Sequence, residues 1–155
     1  MREIIGYTIL MLLATVIIPY VQAEPPAKVT ISDPKNGAEV GKGTKVIGTA
    51  AVPPGEHLWL LVHNSNKTPL GYSYPQGEVE IDDETQVFAK YIQCGEASDI
   101  GDNFKILVIT VNEQENARLH EALKKMADSG IWKYIKIPRT TSVPVSRKVT
   151  KVSHE

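Results

Sequence analysis

The residues of this sequence whose types lend themselves to chemistry are four histidines, a single cysteine, two acidic clusters and two closely spaced tyrosines. A Ser-His-Asp hydrolase sets its nucleophile on a sharp Gly-x-Ser-x-Gly turn, and the sequence contains no such string. A zinc site needs closely spaced ligands. His57 and His63 stand at the entry and exit of one apolar run, with His120 and His154 far along the chain, so the expectation is two strand-end histidines touching solvent. An exported copper carrier draws further ligands from the loop just after its cysteine. Cys94 is followed instead by Gly95-Glu96-Ala97-Ser98-Asp99. As the only cysteine it forms no internal disulfide, and burial as a small hydrophobe is its expected state. Asp82-Asp83-Glu84 and Asp99-Ile100-Gly101-Asp102-Asn103 offer clustered oxygens without EF-hand spacing, and read as acidic turns. The expectation is a non-enzymatic protein with no cofactor and no metal.

Binding chemistry has better support. Tyr72 and Tyr74 are two apart, so on a strand they point to one face, beside Pro75 and the Gln76 amide. Aromatic planes with a nearby amide stack on and bond to sugars, or grip proline-rich peptide. Tyr72, Tyr74 and Gln76 are therefore the candidate ligand-binding residues. Asn66-Lys67-Thr68 matches an N-glycosylation acceptor, which makes Asn66 a candidate modification site. The net charge of −1, without a basic patch, argues against a nucleic-acid partner.

The chain opens with an address. Arg2 precedes an apolar run from Ile4 to Ile18, then Pro19 and a Val21-Gln22-Ala23 end before Glu24, the charge, hydrophobic middle and small residues of a secretory signal peptide over residues 1–23. The competing reading is an uncleaved anchor, but Gly6, Tyr7, Thr8 and Pro19 leave the run short of the ~20 apolar residues of a span. Without a cysteine beside the cut, lipid attachment is not expected. The working protein is expected outside the cytoplasm, secreted, periplasmic or on the cell surface, with no membrane span after cleavage.

The elements that position the candidate residues follow from periodicity. After a stiff leader at 24–27, Val29 and Ile31 alternate with polar residues, and Asp33-Pro34-Lys35-Asn36-Gly37 supplies a turn. Val46–Ala50 is the next strand, ended by Pro53-Pro54. Leu58-Trp59-Leu60-Leu61-Val62-His63 is apolar on both faces, as in a strand at the centre of a packed sheet. Trp59 is expected in the inter-sheet core. A short strand is expected at Val79-Glu80-Ile81, with longer ones at 86–94 and 103–111. Leu119, Leu123 and Met126 then recur at helical spacing, which predicts a helix over about 113–129. Asn112 would cap it, Glu115 would reach back, Lys124 and Lys125 would sit at its negative end, and Gly130 would stop it. Its narrow apolar stripe predicts a helix over one edge or end of a sheet. After residues 131–137 and a Pro138-Arg139 turn, residues 143–152 read as the closing strand, with Arg147, Lys148 and Lys151 as edge protection; residues 153–155 form a tail.

Seven to nine short strands with one helix inserted before the last describe an all-β, two-sheet β-sandwich over residues 28–152. The stretch Ile31-Ser32-Asp33-Pro34-Lys35-Asn36-Gly37-Ala38-Glu39-Val40, followed by Val46-Ile47-Gly48-Thr49-Ala50, resembles the opening of immunoglobulin-like domains of prokaryotic exported and cell-surface proteins. His57-Leu58-Trp59-Leu60, Tyr72-Ser73-Tyr74-Pro75-Gln76-Gly77 and Gly101-Asp102-Asn103-Phe104-Lys105-Ile106 are similar to a group of single sandwich domains whose role is unassigned. The resemblance implies a sandwich fold and a surface location. The sequence is thus expected to encode an exported binding module for an envelope glycan, polymer or protein, or else an assembly subunit that pairs sheet edges.

Overall fold

Alternating strand residues, turn-forming Gly and Pro, and one block of helical spacing build the chain in the order β1 (Lys28–Asp33), β2 (Ala38–Val40), β3 (Gly43–Ala51), β4 (Glu56–Asn64), β5 (Tyr72–Glu78), β6 (Val87–Gln93), β7 (Asn103–Asn112), α1 (Glu113–Ser129), β8 (Ile135–Lys136) and β9 (Val145–Lys151). These elements come from a computed structural model that describes residues 25–155; the signal-peptide reading falls on residues outside that range. Among the described residues no helix is long and apolar enough to cross a membrane.

The strands form a three-stranded sheet in the order β1-β3-β6 and a six-stranded sheet in the order β2-β9-β7-β4-β5-β8. All pairs are antiparallel except β2 with β9. This is an all-β sandwich of two sheets, with the helix inserted between β7 and the last strands.

The layers follow from β4, every side chain of which from Leu58 to Asn64 is buried. Leu58, Leu60 and Val62 enter the inter-sheet core with Ile31, Val46 and Phe88, while Trp59 and Leu61 join Ile109 and Leu119 in a second core under α1. Trp59 therefore lies on the face away from the small sheet, a correction to its expected place. Its indole N–H donates to Asn116 Oδ1 at 2.7 Å, so α1 supplies both the apolar cover and the polar partner. The helix lies over the outer face of β4, β5 and β7, not over a sheet edge or end, because Trp59 and Leu61 present a broad apolar surface there.

Asn112 caps α1 by accepting from the Glu115 N–H at 3.0 Å, and Gly130 ends it in the left-handed region at φ +68°. The Glu115 carboxylate turns to Arg118 instead of reaching back. Lys124 and Lys125 fall short of the last turn and pair with Asp128 and Glu121.

Two further expectations are corrected. Val79-Glu80-Ile81 is no strand; it carries the chain from β5 in the large sheet to β6 in the small one, and its alternation arises because Val79 and Ile81 both pack on the core during the crossing. Between α1 and β9 the chain adds only the two-residue strand Ile135–Lys136. The closing strand β9 is not an edge, since it lies between β2 and β7, and Lys151 is wholly buried with its ammonium donating to the Glu96 carbonyl at 2.5 Å. Arg147 donates to the Ile31 carbonyl of β1 at 2.6 Å and so joins the two sheets.

The histidines are also more engaged than expected. His63 is buried, its Nδ1 2.8 Å from the Tyr72 carbonyl. His57 stands between two carboxylates, Nδ1 2.6 Å from Glu78 and Nε2 2.7 Å from Glu113, and Glu78 also meets His120 Nε2 at 2.6 Å. Partial burial alone would lower the His57 pKa, but bonds to Glu113 and Glu78 outweigh it and hold it above its ordinary 6.5. For Glu78 partial burial pushes upward, and the two histidines bring it below its ordinary 4.5.

Two predictions follow from this clamp and from the buried tryptophan. The His57 contribution is complete below pH 6.5 and fades as pH rises through its raised native value, whereas that of Glu78 is present above pH 4.5 and fades as pH falls through its lowered one. Thermal unfolding across this range should show a maximum between those values that flattens in Glu78→Gln. Asn116→Leu leaves the Trp59 N–H buried without a partner and should cost ~1–3 kcal/mol in denaturant unfolding, part of which Trp59→Phe in the same chain restores.

Candidate functional site

The edge of β5 is shaped by its own irregularity. A register shift between Leu60 and Leu61 leaves Gln76 without a partner on β4, while Tyr74 stands opposite Val62 and Gly77 opposite Leu60. Freed from the ladder, the Gln76 side chain crosses to the small sheet, where its Oε1 accepts the Gln93 N–H at 2.8 Å. This clasp draws the open flank of the sandwich together at one point.

Beside the clasp lies a hollow of about 360 Å³. Val62 and Phe104 form its floor, Tyr74 and Gln76 one wall, and Thr68 and Trp132 further parts of the lining. The β6–β7 loop closes it with a 3-10 turn at Ala97–Asp99. Gly95 begins that loop at φ +67°, and a side chain there would collide with Asp99 and the Phe104 ring. Lys151, from beneath, ties the loop to β9 through the Glu96 carbonyl.

Tyr72 and Tyr74 do share a face, for both meet the Tyr134 ring edge-on at centroid distances of 5.6 and 5.8 Å. Tyr74 and Gln76 line the hollow; Tyr72 stands outside it and supports Tyr74 through Tyr134. Burial pushes the Tyr74 phenol up from its ordinary value, with Tyr134 and Asp99 adding to the effect, so it remains a neutral donor.

The charges around the hollow are spent on one another. The Lys67 ammonium bonds Asp99 and lies 3.3 Å from Asp102, which also accepts from the Asn64 amide at 2.8 Å. Partial burial raises the Asp99 carboxyl, but Lys67 and the Glu96 N–H outweigh it and hold it below its ordinary range. The second acidic cluster is likewise occupied, with Asp82 Oδ1 accepting from the N–H groups of Glu84 and Thr85. Among the described residues no group of three His, Cys, Asp or Glu is arranged to hold a metal ion.

Two polar groups on the β4–β5 loop have opposite fates. Asn66 is exposed, and its Oδ1 accepts the Asn103 N–H at 2.9 Å. The Thr68 hydroxyl is buried and has no hydrogen-bond partner among the described residues, although its residue lines the hollow. A buried hydroxyl left unpaired costs ~1–3 kcal/mol.

Sequence reasoning found Tyr74 and Gln76 and missed Trp132, Thr68 and Gln93. Trp132 stands two residues beyond the Gly130 stop, in a connection to which the sequence assigned no element and no role. Two hollows of about 530 and 810 Å³ are lined by Pro26 and Lys28 near the start of the described chain and contain no aromatic side chain.

The chain matches no protein-family model and no curated protein sequence. The arrangement of the flank itself therefore carries the functional argument. It offers two aromatic surfaces, amides and a free hydroxyl, a set that can stack and hydrogen-bond.

Cys94 lies directly before Gly95, within the inter-sheet core, and burial pushes its thiol pKa up to about 11. Its thiol should resist a thiol-reactive dye at neutral pH in the folded protein and react at once in denaturant. Fast labelling of the native state would show that the floor of the hollow opens.

Proposed function

We propose that this protein is an exported, non-catalytic binding module of immunoglobulin-like type that recognises an envelope glycan through the flank between β5 and β6. The observation that carries this reading is the hollow in which Tyr74, Trp132, Gln76 and an unpartnered Thr68 hydroxyl meet. Apolar ring faces suit the C–H surface of a sugar, and amide and hydroxyl groups suit its hydroxyls. Tyr72 contributes through Tyr134, by holding Tyr74 in place. The hydrophobic opening of the sequence supports export to the periplasm or cell surface.

Three of the four sheet edges, β2, β8 and β6, support this reading over an assembly role. The large sheet ends in β2 and β8, of three and two residues, which offer little ladder to a partner. The outer edge of β6 is tied at both ends, Val87 O accepting from Asp82 N at 2.9 Å and Gln93 N donating to Gln76.

The test is retention of envelope carbohydrate by the purified protein, compared with a Tyr74→Ala/Trp132→Ala variant and a Tyr91→Ala control. Tyr91 is an exposed aromatic on β6 that lines neither wall of the flank. Wild type and the control should retain carbohydrate and the double variant should not. Equal retention by all three would move the site elsewhere. Absence of retention together with self-association would favour edge pairing.

A further inference from the structure

A second hollow, of about 430 Å³, lies along α1 on the far side of the Gln76–Gln93 clasp. Its wall on the helix is formed by Leu123 and Ala127, and its wall on the sheet by Pro75. Gln76, Gln93 and Trp132 line both hollows, so the two adjoin across the clasp. Each has a size typical of small-ligand sites, which span ~300–1,000 Å³.

We propose that the two hollows form one groove for an extended, neutral oligosaccharide, with Trp132 as the stacking residue between an inner subsite ending at Thr68 and an outer subsite against α1. This rests on the glycan-binding reading above and specifies its ligand. A single sugar would fill one hollow and leave the other, together with half of the shared lining, unused. A chain of sugars occupies both, and its ring at the junction meets Trp132, which is 60 % exposed and thus open to a ligand.

Charge gives the ligand class. Lys67 and Asp99 pair in the inner hollow; in the outer one Lys124 meets Asp128 at 2.5 Å and His120 meets Glu78. Among the described residues that line the two hollows, Glu96 is exposed and each lysine has an acidic partner, so the lining offers no unpaired lysine to an acidic polymer. A proline-rich peptide fits less well. Gln76 Oε1 is already occupied, so its amide N–H groups and the Thr68 hydroxyl remain, and a partner that both donates and accepts satisfies them best. Sugar hydroxyls do both, whereas proline lacks an N–H.

The experiment measures binding of β-linked glucose and N-acetylglucosamine oligomers, from monosaccharide to hexasaccharide, by calorimetry. Wild type should bind at least one series with affinity that rises with length. Trp132→Ala should weaken the longer members by ~10-fold, a change equivalent to ~1.4 kcal/mol. Ala127→Phe, at an exposed helix position, fills the outer hollow and should reduce long oligomers to the affinity of short ones. Circular dichroism of both variants confirms that they fold.

Affinity independent of length, with Ala127→Phe silent, would overturn the two-subsite groove and leave the glycan reading standing. Retention of envelope carbohydrate without affinity for either neutral series would overturn the neutral class. Binding of a polyproline peptide in place of the sugars, lost in Trp132→Ala, would replace the glycan by a peptide ligand. If envelope carbohydrate is not retained either, the glycan-binding function falls with it.

Discussion

Strand β4 is apolar on both of its faces, and a strand of that kind cannot lie on the surface of a two-layer sandwich without leaving one set of side chains in water. The side of Leu58, Leu60 and Val62 is answered by the small sheet. The side of Trp59 and Leu61 must be answered by something else, and the only helix among the described residues is inserted where it can do so. Fully burying one such side chain contributes ~1.5–3 kcal/mol, so covering this second face outweighs the irregularity that the insertion brings to the sandwich. Once α1 is laid there, the segment after Gly130 has to return across β5, and that return carries Trp132 and Tyr134 to the flank. The groove is thus a by-product of covering Trp59.

The flank is held by polar devices that differ in kind from the core. Gln76 spans the two sheets because a bulge removes it from the ladder, and the ion pairs of Lys67 fix the two loops above it. Exposed ion pairs of this sort contribute little to stability, with a typical value of ~0–1 kcal/mol. Their larger effect here is to neutralise the lining. What remains unsatisfied in it is a hydroxyl, Thr68, and not a charge.

Much of this was readable from residue order, and the gaps have physical causes. Both ends of α1 are marked by local chemistry, an Asn that caps and a Gly that accepts a left-handed backbone, and local signals of this type survive in any tertiary context. The double-faced character of β4 was equally plain. What sequence cannot give is which layer covers which face, so Trp59 was assigned to the wrong core and α1 to an edge. Lys151 misled for a related reason: a lysine in a terminal strand reads as solvated unless the carbonyl it seeks, 55 residues earlier at Glu96, is known to lie below it. In the candidate site, Tyr74 and Gln76 were visible because two residues on one strand share a face by geometry alone. Trp132, Thr68 and Gln93 reach them from other elements, and nothing in their spacing announces it.

The buried Lys151 also couples the centre of the large sheet to the rim of the hollow. Its ammonium holds Glu96, its N–H donates to the Asp102 carbonyl, and its own carbonyl accepts from Gly101, so three bonds from one residue secure the loop that closes the inner hollow. One wall of the inner hollow is thus fastened by a strand that lies between β2 and β7, in the middle of the large sheet, so a change at Lys151 would be felt at a surface that its own side chain does not line.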